Sequence, residues 1–376
     1  MEKLWLLLRS SALRFNRLAT PVGNLIFLTI IVIAAYGSIV SHRTLQRSRI
    51  PADAKTAYDK AIAFGIKRDY ESALKLFSEA IKIAPNYTEA YVRRSRIYSE
   101  AFQKKERALA DLAVAIQNTP RFYKAYNHRG KIYLAMGQYN EALSDFSKAV
   151  QLSPRFATGF FHRGRTYQRM GNYSEAIKDL SRAIQIDNDF VNAYKTRGYL
   201  YLTAGHYVEA IADYSAAISS FPNDPDSYYH RAICYRKTRS FEKALEDLDC
   251  TLASVPEYYE AFYEKGMVRF ALKQFDHALD DFTSAIELNP KYYQAYVNRG
   301  NANARLRKFQ NALEDFNTAI RLAPQDVNAF ISRGAVYMIH FKQTEKACSD
   351  WKRACELGDC RNYEMAKARG VCKSRK

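Results

Sequence analysis

The sequence predicts an all-α solenoid of about nine helix–turn–helix repeats, preceded by one transmembrane helix. Three observations carry that expectation. A small residue recurs at Gly130, Gly164, Gly198, Ala232, Gly266, Gly300 and Gly334, each 34 residues from the next. Within each period the apolar residues stand three and four apart, the spacing of one helix face. Ahead of the repeats, no charged residue lies between Arg17 and His42.

Composition agrees with a folded, helix-rich chain. Of 376 residues, 48% are hydrophobic and 26% charged, which excludes a disordered chain. The 28 Tyr and 21 Phe supply large side chains for helix packing. Six Cys in so long a chain do not make a disulfide scaffold. There is no C-x-x-C, H-E-x-x-H, Walker loop or G-x-G-x-x-G. The net charge is +18, of which +12 remains beyond residue 50 once seven basic residues and one acid are set aside.

Residues 1–20, with "MEKLWLLLRSSALRF", read as a basic and apolar tail suited to a membrane surface. Residues 21–40 read as the transmembrane helix. The uncharged run has 24 positions, which span about 36 Å as a helix against a bilayer core of roughly 30 Å. The rival reading is a cleaved signal peptide with Ala35 and Gly37 at its cleavage site, for which the run is long. Lys3, Arg9, Arg14 and Arg17 before the run balance Arg43, Arg47, Arg49 and Lys55 after it, so the positive-inside count leaves orientation open. Residues 41–53 form a linker.

The repeats occupy residues 54–357. Units begin near Ala54, Thr88, Tyr123, Ala157, Val191, Pro225, Tyr259, Tyr293 and Val327. An aromatic precedes the small residue by four (Tyr126, Phe160, Tyr194, Tyr228, Phe262, Tyr296, Phe330), and an alanine follows it by twelve. Breaks such as "MGNY" end the first helix with a glycine. Pro85, Pro120, Pro154, Pro222, Pro256, Pro290 and Pro324 close most units, because proline cannot continue a helix interior. The second and ninth units carry one extra residue each, in "SEAFQKKER" and "MIHFKQTE". Residues 358–376 read as a capping helix with a basic tail, the polar end that a stack of repeats needs.

These spacings of aromatic, small residue, alanine and proline resemble the tetratricopeptide repeat family. The resemblance implies a right-handed superhelix whose groove, lined by the first helix of each unit, holds protein segments for complex assembly. On the family's groove positions this sequence has Arg96, Lys124, Lys131, Phe161, Arg165, Arg169, Lys195, Tyr199, Tyr229, Arg236 and Lys237. The later units place Tyr263, Met267, Val297, Asn301, Ile331 and Met338 there. The implied partner is an acidic or carboxylate-bearing segment across units three to six. The family's full carboxylate-gripping pattern is not matched. The uncharged run suggests a single-pass anchor in a bacterial inner membrane; the side of the repeats stays open, the commoner arrangement for such an anchor placing them in the periplasm.

Comparing units exposes a second regularity. A cation precedes each small residue (Arg94, Arg129, Arg163, Arg197, Arg231, Lys265, Arg299, Arg333), and an acid follows sixteen or seventeen residues later (Asp111, Asp145, Asp179, Asp213, Asp247, Asp281, Asp315, Asp350). We expect eight intra-unit ion pairs. His128, His162 and His230 share one place in three units. With neighbouring helices about 8–10 Å apart they are badly spaced for one metal, so solvated groove histidines are expected. Cys348, Cys355, Cys360 and Cys372 cluster near the end. Unpaired thiols are the default reading; a Cys360–Cys372 disulfide suits a chain outside the cytosol. Neither a catalytic constellation nor room for an ordinary catalytic domain lies outside the repeats, so we expect a binding scaffold and no enzyme, cofactor or metal. An RNA- or anion-binding solenoid and a self-associating structural protein are the alternatives. The cation–acid matching disfavours nucleic acid.

Overall fold

The computed structural model describes residues 50–372, so the expected tail, the transmembrane helix and most of the linker lie outside the described residues. Among the described residues there are nineteen α-helices and no strand, and no helix is long and apolar enough to cross a membrane. The chain divides into two compact units, 1–138 and 139–376, taken in turn below.

The first unit contains α1 (Ala52–Ile66), α2 (Tyr70–Ile83), α3 (Thr88–Glu100), α4 (Lys105–Asn118) and α5 (Tyr123–Ala135). α1 packs on α2 and α3 on α4, each pair an antiparallel hairpin, and α5 stacks against α4. The second unit opens with α6 (Tyr139–Leu152). Six hairpins follow: α7 (Ala157–Arg169) with α8 (Tyr173–Ile186), α9 (Val191–Thr203) with α10 (Tyr207–Ser220), and α11 (Pro225–Lys237) with α12 (Phe241–Ser254). Then come α13 (Tyr259–Ala271) with α14 (Phe275–Leu288), α15 (Tyr293–Arg305) with α16 (Phe309–Leu322), and α17 (Val327–Ile339) with α18 (Thr344–Glu356). α19 (Arg361–Ala368) closes the order.

Each hairpin turns through a residue in the left-handed region. At Gly137, Gly171 and Gly205 (φ 75°, 79° and 80°) glycine takes this conformation without penalty. The turn then folds back on its helix, as where Asn172 N donates to Tyr167 O at 2.9 Å. Elsewhere Arg68, Arg239, Lys273 and Arg307 hold the same conformation, with Gln103 and Lys342 in the two longer turns.

At Gly198, Gly266, Gly300 and Gly334 the recurring small residue faces the ring of its partner helix. A Cβ on Gly266 would stand 2.6 Å from the Phe282 ring, and one on Gly334 2.6 Å from Trp351. Where the partner is the smaller Leu248, Ala232 fits instead and is 1% exposed. Gly164, which opposes Leu180, leaves a Cβ 3.2 Å from the leucine, so Gly266, Gly300 and Gly334 have less room to spare.

Among pairs that lie within one compact unit, the expected ion-pair ladder is present with one exception. All eight aspartates are buried at 4–6% exposure. Of the seven expected pairs that lie within one unit, six form, for example Arg231 to Asp247 through Nε (2.8 Å) and Nη2 (2.7 Å). The arginine also reaches a hydroxyl on the second helix of the preceding repeat. Arg94 donates to Ser78 (3.0 Å), Arg197 to Ser181 (2.7 Å), Arg231 to Ser215 (2.9 Å) and Arg299 to Thr283 (3.2 Å). The recurring aromatic covers it, as Tyr228 and Tyr235 do for Arg231 at 5.6 and 5.7 Å. Each such arginine thus joins three helices. Replacing both members of a pair by apolar residues costs little, whereas stranding one costs about 3–5 kcal/mol.

The expected Lys265–Asp281 pair does not form. Asp249 occupies the place of the hydroxyl and draws Lys265 to itself at 2.6 Å. Arg269, one helical turn along α13, takes Asp281 at 3.0 Å. The acid of one repeat is therefore held by a cation from a different position than in its neighbours.

The cysteines are also corrected. Cys348 pairs with Cys372, and Cys355 with Cys360, so neither free thiols nor a Cys360–Cys372 bridge describes the carboxy-terminal end. These links fasten both flanks of α19 to α18. α19 occupies eight residues of the 358–376 segment read as capping helix and tail.

Candidate interaction surface

Successive first helices touch one another, α3 with α5 in the first unit, and α9, α11, α13, α15 and α17 in series in the second. Second helices do not meet each other to this extent among the described residues. The first helices therefore share an inner face, and side chains on it reach from one repeat to the next. Lys195 of α9 donates to Asp224 at 2.8 Å and to Asp226 at 3.4 Å. Arg236 of α11 donates to Glu264 of α13 at 2.6 Å, and Asn298 of α15 donates to the Tyr263 hydroxyl at 3.1 Å.

The anticipated groove residues sort into three kinds. Lys195 and Arg236 are neutralised by acids of the following repeat. In the first unit Arg96 and Lys131 both bind Glu100, at 2.8 and 3.3 Å. The second kind is apolar packing. Phe161 is only 7% exposed and lies 5.0 Å from the Phe190 ring, and Tyr229 stacks on Tyr258 at 4.9 Å. Burial pushes the Tyr229 hydroxyl pKa far above its ordinary range. Arg165, Arg169, Lys124 and Lys237 form the third kind, with no carboxylate partner among the described residues. Arg165 lies over the Phe161 ring at 5.7 Å and Lys124 over Tyr123 at 6.0 Å. Tyr199 is 45% exposed and meets His230 edge-on.

The histidines are not solvated. His162 stacks on Phe146 and His230 on Tyr214, each at 5.6 Å, under the inner face. Burial, reinforced by Lys131 and Arg96, pushes His128 down to about 4. Burial lowers His230 as well. The His162 and His230 rings act here as packing against the aromatic beneath each.

The sequence reasoning missed the acids that answer the groove cations: Glu100, Asp224, Asp226 and Glu264. Asp224 also caps α11 by accepting from Ser227 N at 3.2 Å. Burial alone raises its pKa, but the bonds from Lys195 and Ser227 outweigh it and hold the carboxyl below its ordinary range. A usable signal existed, because each of these acids sits on or just before a first helix that carries or neighbours its cation. Tyr258, Tyr259 and Tyr292 were missed too. The Tyr292 ring lies 5.0 Å from Tyr259 and 5.1 Å from Tyr263. The first unit adds a cavity of about 450 Å³ floored by Ile62, Phe77 and Ile97, with Arg93 and Arg96 at its edge.

One hairpin used repeatedly, with its inner helices joined by side chains, defines a helical-repeat protein. Sequence models of the tetratricopeptide repeat match residues 123–156, and 195–258 with 263–327; a further TPR repeat model matches 169–205. The chain belongs to the tetratricopeptide repeat family. It is similar to Hsp70-Hsp90 organizing protein 3 of Arabidopsis thaliana, 34% identical over 92 residues, or 24% of this chain and 16% of that protein. It is also similar to small glutamine-rich tetratricopeptide repeat-containing protein 2 of Saccharomyces cerevisiae, 31% identical over 90 residues, 24% of this chain and 25% of that one. The chain thus spans at most a quarter of the length of these relatives. Among solved structures, a tetratricopeptide repeat protein from Parabacteroides merdae aligns with TM-score 0.53 at 18% identity, over 66% of this chain and 98% of that one. The APC/C hetero-tetramer Cut9-Hcn1 aligns with TM-score 0.52 at 15% identity, over 91% and 82%. Both likenesses are of fold.

Proposed function

We propose that this protein is a membrane-tethered scaffold that binds a protein segment on the inner face of its first helices. The observation that carries the reading is the inner face of α7–α11. There Arg165 lies over the Phe161 ring at 5.7 Å, and Arg165, Arg169 and Lys237 have no carboxylate partner among the described residues. Free cations next to rings fit an acidic or carboxylate-bearing segment. The neutralised Lys195 and Arg236 fix the spacing of the helices rather than the ligand. The Arabidopsis relative is an organizing protein, which supports an assembly role.

The tether reading rests on the uncharged run before residue 42. The two disulfides at the carboxy-terminal end support repeats that mature in an oxidising compartment, on the exported side. Partner capture from native membranes tests the binding site. Arg165→Glu with Arg169→Glu is expected to weaken the captured complex at least tenfold, with Lys178→Glu on α8 as the control. A folded double variant with undiminished affinity would remove this site.

A further inference from the structure

We infer that the hairpin-turn edge of α11–α18 is a docking surface for an anionic lipid bilayer, an inference that rests on the membrane tether proposed above. The turns of these four hairpins lie along one edge of the second unit, since each repeat has the same order of helices. At the left-handed position of each turn stands a cation: Arg239 (φ 62°), Lys273 (63°), Arg307 (62°) and Lys342 (56°). Two earlier hairpins of the same unit use Gly171 and Gly205 there. A residue with a side chain costs about 1–2 kcal/mol in this conformation. Four cations are thus held where glycine would be more stable, and local strain of this kind gathers at functional positions.

The four are exposed and join no ion pair among the described residues. Helices of neighbouring repeats are about 10 Å apart, so the row runs roughly 30 Å, matched to a surface rather than to a small ligand. The carboxylates on this edge are Glu242, Asp276 and Glu345, and Lys308 approaches Asp276 at 3.7 Å. Lys237 and Arg305 add to the row, so the edge remains positive. Beside Lys342 the turn exposes Ile339 at 58% and Phe341 at 37%. An apolar pair within a basic row favours a bilayer, which accepts both, over a nucleic acid backbone. Each cation near an anionic membrane contributes about a factor of five in affinity. A chain already tethered to that membrane needs only such modest attractions.

Because a tether would hold the chain on any vesicle, co-sedimentation does not read the edge. Hydrogen exchange at the turns does, with the full chain on phosphatidylcholine vesicles with and without phosphatidylglycerol. Residues 237–241, 272–275, 306–309 and 339–343 are expected to exchange about tenfold more slowly on the anionic vesicles, and the effect to vanish at high salt. The variant Arg239→Gly, Lys273→Gly, Arg307→Gly, Lys342→Gly is expected to lose this slowing while melting at the same or a higher temperature. Glycine suits the left-handed position, so loss of the effect is not loss of fold. Equal exchange on both vesicles, or slowing that persists in the variant, overturns the inference. Slowing by single-stranded RNA but not by phosphatidylglycerol overturns it in favour of a nucleic acid. Release of the chain by alkaline carbonate would remove the tether alone, and exchange on the mixed chain and vesicles would still read the edge.

Discussion

The hairpins α11/α12 and α13/α14 are adjacent in the chain and alike in backbone, yet they solve two problems differently. In the first, Arg231 grips Asp247 with two nitrogens and reaches back to Ser215. In the second, Asp249 in the hydroxyl's place draws Lys265 away, and Arg269 supplies Asp281 through one nitrogen. The first seats Ala232 against Leu248; the second seats Gly266 against Phe282. Each solution is internally matched. A residue's role in a repeat is therefore set by its contact set, and residues from both neighbouring helices enter that set.

The largest expected contrast comes from removing the acids. Asp247→Ala strands a half-buried Arg231 and is expected to cost about 3–5 kcal/mol in chemical denaturation. Asp281→Ala is expected to cost less, because its carboxyl has a weaker grip to lose. Arg231→Leu with Asp247→Leu together is expected to cost less than Asp247→Ala alone. Equal losses in all three would dissolve the distinction between the hairpins.

Packing provides the next contrast. Gly266→Ala drives a methyl into the Phe282 ring and is expected to destabilise by about 1–3 kcal/mol. Ala232→Gly meets no such clash and is expected to cost about 1 kcal/mol through helix propensity. Melting temperatures of the two variants check the order.

The smallest effect sharpens the electrostatic difference. Burial raises Asp281 to about 6, with Arg269 and Lys265 opposing it incompletely. An unfolded aspartate titrates near 4, so between about 4 and 6 the folded chain binds the extra proton. Stability linked to this group is present below about pH 4 and is lost as the pH rises to about 6. The triple variant Asp249→Ser, Lys265→Arg, Arg269→Tyr rebuilds the regular arrangement. Because burial also raises Asp247 in the regular arrangement, the variant is expected to flatten that decline only in part, by about 1 kcal/mol, read as the difference between variant and parent unfolding across the window.

The period of 34 made the helices, the small residues and the buried aspartates legible, because each repeat serves as an aligned copy of the others. Lys265 misled because a pair was sought between two helices, whereas three contribute. The series Ser147, Ser181, Ser215, Asp249, Thr283 and Asn317 holds the warning, but only once the third helix is known to matter. The neutralisation of Lys195 and Arg236 was missed, since Asp224 and Glu264 act across repeats. Four clustered cysteines admit three pairings, and spacing alone does not choose among them. The histidines looked solvated because the rings of Phe146 and Tyr214 belong to the preceding repeat.

The three-helix reach of the arginines has a consequence for how the array comes apart. A stack of repeats unfolds as a chain of coupled blocks, with each junction's free energy deciding how far an opening spreads. Most junctions of the second unit carry a sheltered guanidinium–hydroxyl bond. The junction from α12 to α13 carries instead Lys265 with Asp249, whose carboxylate is 62% exposed. Exposed pairs are weak and screened by salt. Of the contacts at this position in the second unit it is the one that salt weakens most, while Arg236 with Glu264 still ties α11 to α13 across the same junction.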